Sequence, residues 1–110
     1  MPQVTGIDLI VAERRRQIEV EGWSAEHDDE HDDCELLNAA ICYAGVAGSQ
    51  VLDGDKGKEA KEGLLEVWPW GTEWWKPSDD PIRNLVKAGA LIAAEIDRMQ
   101  RAQGDPQCSN

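Results

Sequence analysis

Aromatic side chains other than indole are nearly missing from this sequence. Among 110 residues there are no Phe and one Tyr, against five Trp. The chain also has no run of 18 apolar residues, so we expect no transmembrane helix, and its first residues lack the basic stretch and apolar block of a secretory signal. No P-loop, GxGxxG or GxSxG string occurs and serine is scarce, which disfavours nucleophilic catalysis.

Basic residues are scarce as well. The chain has 11 Lys and Arg against 22 Asp and Glu, and this formal net charge of −11 excludes wrapping duplex DNA or lying on an anionic membrane. The charge is uneven, because residues 19–35 hold nine of the acidic side chains and no Lys or Arg. Residues 56–110 are nearly neutral, so a small anionic ligand is not excluded there.

Cysteine usage indicates a reducing compartment. The three cysteines form no CxxC pair, and Cys34 and Cys42 lie two turns apart on a predicted helix, too far for a disulfide. We therefore expect a cytoplasmic protein. The length predicts a single domain over 1–110, with a flexible loop at about 48–63 and a disordered tail at about 104–110.

Hydrophobic periodicity predicts an all-α fold of three main helices, with a Trp-rich irregular segment packed across them. The last helix is placed at about 80–102, where Asp80 precedes Pro81 as an N-cap followed by proline at the first helical position. Its apolar residues recur at helical spacing and predict one buried face, made of Ile82, Leu85, Val86, Gly89, Ile92, Ala93, Ile96 and Met99.

Capping signals place the other two helices. Thr5 and Asp8 have capping-box spacing at the start of a helix over about 5–21, and Asp32 and Glu35 repeat that spacing at the start of the second helix. The apolar stripe of the first helix consists of Ile7, Ile10, Val11 and Ile18. The second helix has small residues that permit a close crossing, namely Ala39, Ala40, Ala44 and Ala47. Since a three-helix core of this size is thin, we expect a homo-oligomer.

Four of the five tryptophans fall in the string WPWGTEWW at 68–75. An indole face stacks on a nucleobase or a sugar, and a helix N-terminus with nearby cations suits a phosphate. The segment therefore predicts a nucleotide-binding site made of Trp23, Trp68, Trp70, Trp74, Trp75, Lys76, Arg83 and Lys87. The alternative is that the tryptophans fill the core of a chain without Phe. A short strand at 64–67 is a further alternative within this segment.

The acidic string HDDEHDD at 27–33 offers imidazole and carboxylate groups at helical spacing. Such a set suits a divalent metal, with His27, Asp28, His31 and Asp32 as the candidate ligands. The alternative is a solvated acidic loop whose carboxylates favour the N-terminus of the next helix. The arginines at 14–16 are expected to form ion pairs with Glu13, Glu19 or this segment.

Several strings resemble a family of small accessory proteins encoded by tailed phages and prophages. They are ERRRQIEVEGW, EHDDEHDD, AAICYA, WPW, WWKP and NLVKAGALIAAEIDR, and they extend over most of residues 7–102. The resemblance implies a phage origin and action inside the bacterial cytoplasm. It supplies no catalytic residues.

Two further resemblances cover less of the chain and bear on function. Residues 17–23, followed by Asp28, Asp29 and His31, are similar to the repeat domain of ryanodine receptors and its bacterial relatives, a domain associated with small nucleotide-like ligands. The acidic pairs at 26 and 29, at 30 and 33, and at 32 and 35 resemble the ExxE and ExxD motifs of MazG-type all-α nucleotide pyrophosphohydrolases. That second resemblance implies Mg²⁺ held by carboxylates.

The predicted function is binding of a small nucleotide-type ligand by a phage accessory protein, without catalysis. Sequestration of a host immune signalling nucleotide is the role this predicts. One alternative is a Mg- or Mn-dependent nucleotide pyrophosphohydrolase that uses the acidic segment. The other is an acidic inhibitor that mimics nucleic acid and occupies a basic groove on a host protein.

Overall fold

The computed structural model of the chain describes residues 3–52 and 63–103, and within these ranges it is all-α and contains no strand. The elements are α1 (Gly6–Glu19), α2 (Ala25–Asp29), α3 (Glu35–Val51), α4 (Leu64–Val67), a 3-10 turn (Thr72–Trp74) and α5 (Pro81–Ala102). The all-α prediction is confirmed. The predicted loop at about 48–63 overlaps the end of α3, and its residues 53–62, like the predicted tail at 104–110, lie outside the described residues.

The first and last long helices begin where their caps predict. The Thr5 side chain accepts from the Asp8 backbone N–H and the Asp8 carboxylate accepts from the Thr5 N–H, both at 3.1 Å, which is a complete capping box. At the start of α5 the Asp80 carboxylate accepts from the Ile82 N–H at 3.0 Å, and Pro81 occupies the first helical position.

The predicted cap at Asp32 is wrong. The helix α3 begins three residues later, at Glu35, and its N-cap is Cys34, which has a φ of 66° and makes no side-chain cap. The Glu35 carboxylate instead accepts from the Asp33 backbone N–H at 2.6 Å. This bond spans the turn before the helix, where Cys34 has a left-handed conformation, and Asp32 lies outside α3.

Two short helices lie where the sequence predicts other structure. Residues 27–33 are expected to be a loop, but residues 27–29 lie in α2. The N-cap of this helix is Ser24, whose side chain accepts from the His27 N–H at 3.2 Å. Residues Leu64–Val67, for which a strand was the alternative, form the single turn α4. The Cys42 thiol of α3 donates to the Leu64 carbonyl at 3.2 Å and ties α4 to α3.

The core forms where α3 and α5 cross. The two helices run antiparallel, since Asn84 at the start of α5 donates to Gln50 at the end of α3 at 2.9 Å. Their contact surfaces are rich in alanine, and the buried core cluster consists of Leu36, Ala39, Ala40, Cys42, Tyr43, Trp68, Ala88, Leu91 and Ala94. The expectation of a close crossing at small residues of the second helix is met at Ala39, Ala40 and Ala47 but not at Ala44, which is exposed.

The apolar stripes expected to form the buried faces of the first and last helices are largely exposed. On α5, Ile82 is 60 % exposed and Leu85 53 %, whereas Val86 is buried. The helix packs through its alanine-rich side instead, because only small residues let α3 and α5 approach closely. On α1, Ile7 and Val11 are exposed, and the buried side chains are the polar Glu13 and Gln17.

Candidate functional site

A cavity of about 360 Å³ opens between α2, the Trp-rich segment and the α3–α5 pair, and we name it the aromatic cavity. It is lined by Trp23, His27, His31, Tyr43, Trp68, Trp70, Gly71, Trp74 and Leu91. Seven of these nine residues have ring side chains. Its volume lies at the small end of the range in which proteins hold small molecules, about 300–1,000 Å³.

Four rings in contact form a row along the aromatic cavity. The Trp23 and His27 rings are nearly parallel, with centroids 5.9 Å apart and planes at 5°. His27 meets His31 edge to face at 4.9 Å, and His31 contacts Trp70 at 5.2 Å. The end of α2 produces this row, because His27 lies on the helix and His31 follows its C-cap, where the His31 backbone N–H donates to the Asp28 carbonyl at 3.0 Å.

The rest of the ring lining packs on the core. Trp68 is buried and meets both Tyr43 and Trp70 edge to face, with centroids 5.8 Å and 5.4 Å away. Its indole N–H donates to the Gly71 carbonyl at 3.1 Å, which closes the turn after the WPW string. The cavity-lining Trp74 is 60 % exposed and is outside the core contacts made by the other tryptophans.

Ion pairs anchor the histidine-bearing wall to the rest of the fold. Asp28 of α2 is fully buried and its carboxylate accepts from Arg14 of α1 at 2.7 Å. The neighbouring Asp29 accepts from Arg101 of α5 at 3.0 Å. The prediction that an arginine of 14–16 pairs with the acidic segment is therefore confirmed for Arg14. Because α2 is only five residues long, these pairs rather than helix propensity fix its position.

A second buried carboxylate holds α1 against α5. Glu13 is 3 % exposed and accepts from Arg16 at 2.9 Å and from Arg83 at 2.6 Å. Burial alone would raise the pKa of Glu13, but the hydrogen bonds and charges of the two arginines outweigh it and lower the pKa below 4.5. Arg83, a predicted ligand residue, is thus engaged in a structural ion pair.

This network predicts a pH dependence of stability. A carboxylate whose pKa is lower in the folded chain stabilises the fold at neutral pH, and that contribution is lost as the pH falls below 4.5 through the folded pKa. We expect Glu13→Gln to lower the free energy of unfolding at pH 7, with the difference from the parent protein narrowing in acid. Urea unfolding at a series of pH values measures this, with exposed Glu26→Gln as the control. A difference that stays constant down to acid pH would contradict the assignment.

The two predicted lysines flank the aromatic cavity rather than line it. Lys76 Nζ lies 5.9 Å from the ring centroid of Trp74, and Lys87 Nζ lies 5.3 Å from that of Tyr43. Lys87 also donates to the Lys76 carbonyl at 2.8 Å. Burial lowers the pKa of Lys87, and the charge of Arg83 lowers it further. Each ammonium therefore lies beside a ring that forms part of the cavity wall.

The four predicted metal ligands are divided between different surroundings. His27 and His31 line the aromatic cavity, Asp32 is exposed, and Asp28 is bound to Arg14, with its second oxygen 3.4 Å from His27 Nδ1. Across residues 3–52 and 63–103, no group of three or more His, Cys, Asp or Glu is arranged to hold a metal ion. The two imidazoles lie between Trp23 and Trp70, and each is near a single carboxylate, His27 near Asp28 at 3.4 Å and His31 near Glu35 at 3.6 Å.

Sequence reasoning missed three lining residues, Tyr43, Gly71 and Leu91. Tyr43 is the single Tyr of the chain and sits in a helix of small and aliphatic residues, which is a signal that could have identified it. Trp75, by contrast, does not line the cavity. It packs against Tyr43 and Trp68 at 5.0 Å and 4.8 Å and supports the wall from behind.

No protein-family model, curated protein or solved structure matches the chain. Within the described part of the chain, no helix combines the length and apolar character needed to cross a membrane. The functional interpretation therefore depends on the geometry of the site.

Proposed function

We propose that the chain binds a small nucleotide-type ligand in the aromatic cavity. The observation that carries this proposal is the wall itself, in which four indoles, two imidazoles and one phenol surround a space of about 360 Å³. Such a surface is suited to a flat, weakly polar group, because planar rings gain stacking contacts over their whole face. A nucleobase is such a group.

Two ammonium groups beside the cavity rings favour an anionic substituent on that base. No carboxylate is among the lining residues, and Lys76 and Lys87 lie beside the rings of Trp74 and Tyr43. An ammonium group at the edge of a stacking site offers a phosphate a charged donor while the base occupies the apolar interior. The resemblance to phage accessory proteins adds the proposed role, which is sequestration of a host signalling nucleotide.

Isothermal titration calorimetry tests this proposal. The probes are AMP, cyclic mono-, di- and trinucleotides and ADP-ribose, and the controls are ribose 5-phosphate and inorganic phosphate, which have the anion without the base. We expect saturable heat with at least one nucleotide and none with the two controls. Absence of heat with every nucleotide, or equal binding of ribose 5-phosphate, would contradict the proposal.

The two alternative functions remain predictions that no observation favours over ligand binding. A pyrophosphohydrolase needs several carboxylates converging on Mg²⁺, and Asp28 and Asp29 each face an arginine instead. An acidic nucleic-acid mimic needs free carboxylates, and the same two ion pairs neutralise part of the acidic segment. A pyrophosphate-release assay over all dNTPs with Mg²⁺ and Mn²⁺ tests the first alternative.

A further inference from the structure

We propose that α3 and α5 present one continuous apolar face, here called the outer face, that binds a second copy of this chain. The proposal rests on exposed side chains that are independent of the aromatic cavity. On α5 these are Ile82, Leu85, Ile92, Ile96 and Met99, between 44 % and 60 % exposed. On α3 they are Leu37, Ile41 and Val51, between 40 % and 70 % exposed.

The stripe on α5 has the spacing of a helix-packing seam. Its positions are 82, 85, 89, 92, 96 and 99, so the intervals alternate between three and four residues. This is the heptad pattern in which one helix interlocks with another. Part of this seam contacts α1, since Ile10 lies against Gly89 and lines a cleft together with Ile82 and Leu85. The other seam residues, Ile92, Ile96 and Met99, are about half exposed, because α5 contacts α3 through a different side that includes Ala88 and Leu91.

The helix α3 has the same kind of stripe. Its exposed or half-exposed positions 37, 41, 44, 48 and 51 alternate between four and three residues and hold only apolar residues or glycine. No charged residue occurs from Leu36 to Val51. A helix without charge on any side is normally buried all round, so the outward side of α3 also requires a partner.

Helix geometry places both stripes on one side of the α3–α5 pair. Successive residues turn by about 100°, and each stripe lies about a quarter turn from the side where the two helices meet. Because α3 and α5 are antiparallel, a viewer looking along the pair sees the residues of one helix turn clockwise and those of the other turn anticlockwise. A quarter turn from the shared contact therefore brings the stripe of each helix to the same side of the pair. Cys42, which bonds to α4, lies nearly opposite the stripe of α3, so the Trp-rich segment occupies the other side.

The composition of the chain favours a second copy as the occupant. The longer segments outside the described residues, 53–62 and 104–110, contain no Val, Leu, Ile, Met or aromatic residue and have nothing with which to cover the outer face. The stripes hold no acidic side chain that would attract a basic partner. The stripe residues themselves are uncharged, although the whole chain has a net charge of −11, so two stripes that meet bring no like charges of their own together.

The area of the outer face fits a dimer. A fully exposed aliphatic side chain carries on the order of 100 Å² of apolar surface, so eight that are about half exposed present on the order of 400 Å² per copy. A specific interface buries about 800 Å² per partner, about two-thirds of it apolar in a homodimer. The two stripes thus supply most of the apolar area that a stable dimer needs.

Sedimentation equilibrium and light scattering at micromolar concentration test the proposal. We expect a mass of twice the 12.2 kDa of one chain. Ile92→Glu on α5 and Ile41→Glu on α3 each bury an unpaired charge in the interface and should weaken association at least about a hundredfold. The matched control is Val20→Glu, at a position 73 % exposed between α1 and α2 and outside both stripes, which should leave the dimer intact.

The mass of the parent protein in solution tests the proposal independently of the variants. A mass of one chain at every micromolar concentration overturns it. So does a dimer that both Ile92→Glu and Ile41→Glu leave unchanged, because association would then use another surface. Far-ultraviolet circular dichroism of the monomeric variants should show retained helix, since both residues are already about half exposed within one chain.

Discussion

Asp28→Ala is expected to lower the free energy of unfolding by about 3–5 kcal/mol. The Asp28 carboxylate is fully buried and bound to Arg14 at 2.7 Å, and the Arg14 side chain is only 15 % exposed. Removing the carboxylate leaves the guanidinium largely desolvated without its partner, and Arg14 Nε already lacks a hydrogen bond. Since a small domain has about 5–15 kcal/mol of stability in total, the change removes a large fraction of it. Chemical unfolding measures the effect.

The neighbouring residue provides a matched control. Asp29 also pairs with an arginine, Arg101, but its side chain is 50 % exposed, so Asp29→Ala should cost no more than about 1 kcal/mol. A double-mutant cycle with Arg14→Leu sharpens the test, because removing both members of the buried pair should cost less than removing Asp28 alone. Equal effects of Asp28→Ala and Asp29→Ala would show that burial does not determine the strength of these pairs.

Trp74→Ala is expected to weaken nucleotide binding by about 5- to 150-fold, which corresponds to the 1–3 kcal/mol that one stacked base contributes. Trp74 lines the aromatic cavity and is 60 % exposed, outside the contacts by which Trp23, Trp70 and Trp75 pack on the core. The substitution should therefore remove a stacking surface without unfolding the chain. Calorimetric titration of the variant measures the affinity.

Two further variants separate stacking from a general effect on the fold. Trp74→Phe keeps a ring and should retain most of the affinity. Ile18→Ala truncates an exposed apolar side chain on α1, away from the cavity lining, and should leave binding unchanged. Unchanged affinity in Trp74→Ala would mean that the ligand does not bind against this indole.

The sequence predicts the long helices well because their start signals are local. A capping box at Thr5 and an Asp80–Pro81 start need only neighbouring residues to form. The start of α3 was mispredicted because Glu35 bonds to Asp33 rather than completing a box with Asp32. The backbone N–H groups of Asp32 and Asp33 are both close in sequence to the Glu35 carboxylate, and the sequence alone does not decide which of them it binds.

The aromatic cavity was predictable only in part. The clustering of tryptophans at 68–75 predicts a binding site there, but the spacing of His27 and His31 predicts metal ligands, because spacing alone does not reveal what faces the imidazoles. Their position beside Trp23 and Trp70 depends on Asp28 and Arg14, which are 14 residues apart in the chain. The helix periodicity predicts buried apolar stripes on α1 and α5, and this prediction is wrong for most of their residues, because periodicity does not show which side of a helix meets its neighbours.

The most direct test of nucleotide binding in the aromatic cavity is nuclear magnetic resonance of the five indole N–H groups with bound ligand. We predict nuclear Overhauser contacts from the base protons of the nucleotide to the indoles of Trp23, Trp70 and Trp74, which line the cavity, and none to Trp75, which does not. Contacts confined to residues outside the cavity, or no contacts to these three indoles at saturating ligand, would contradict the account.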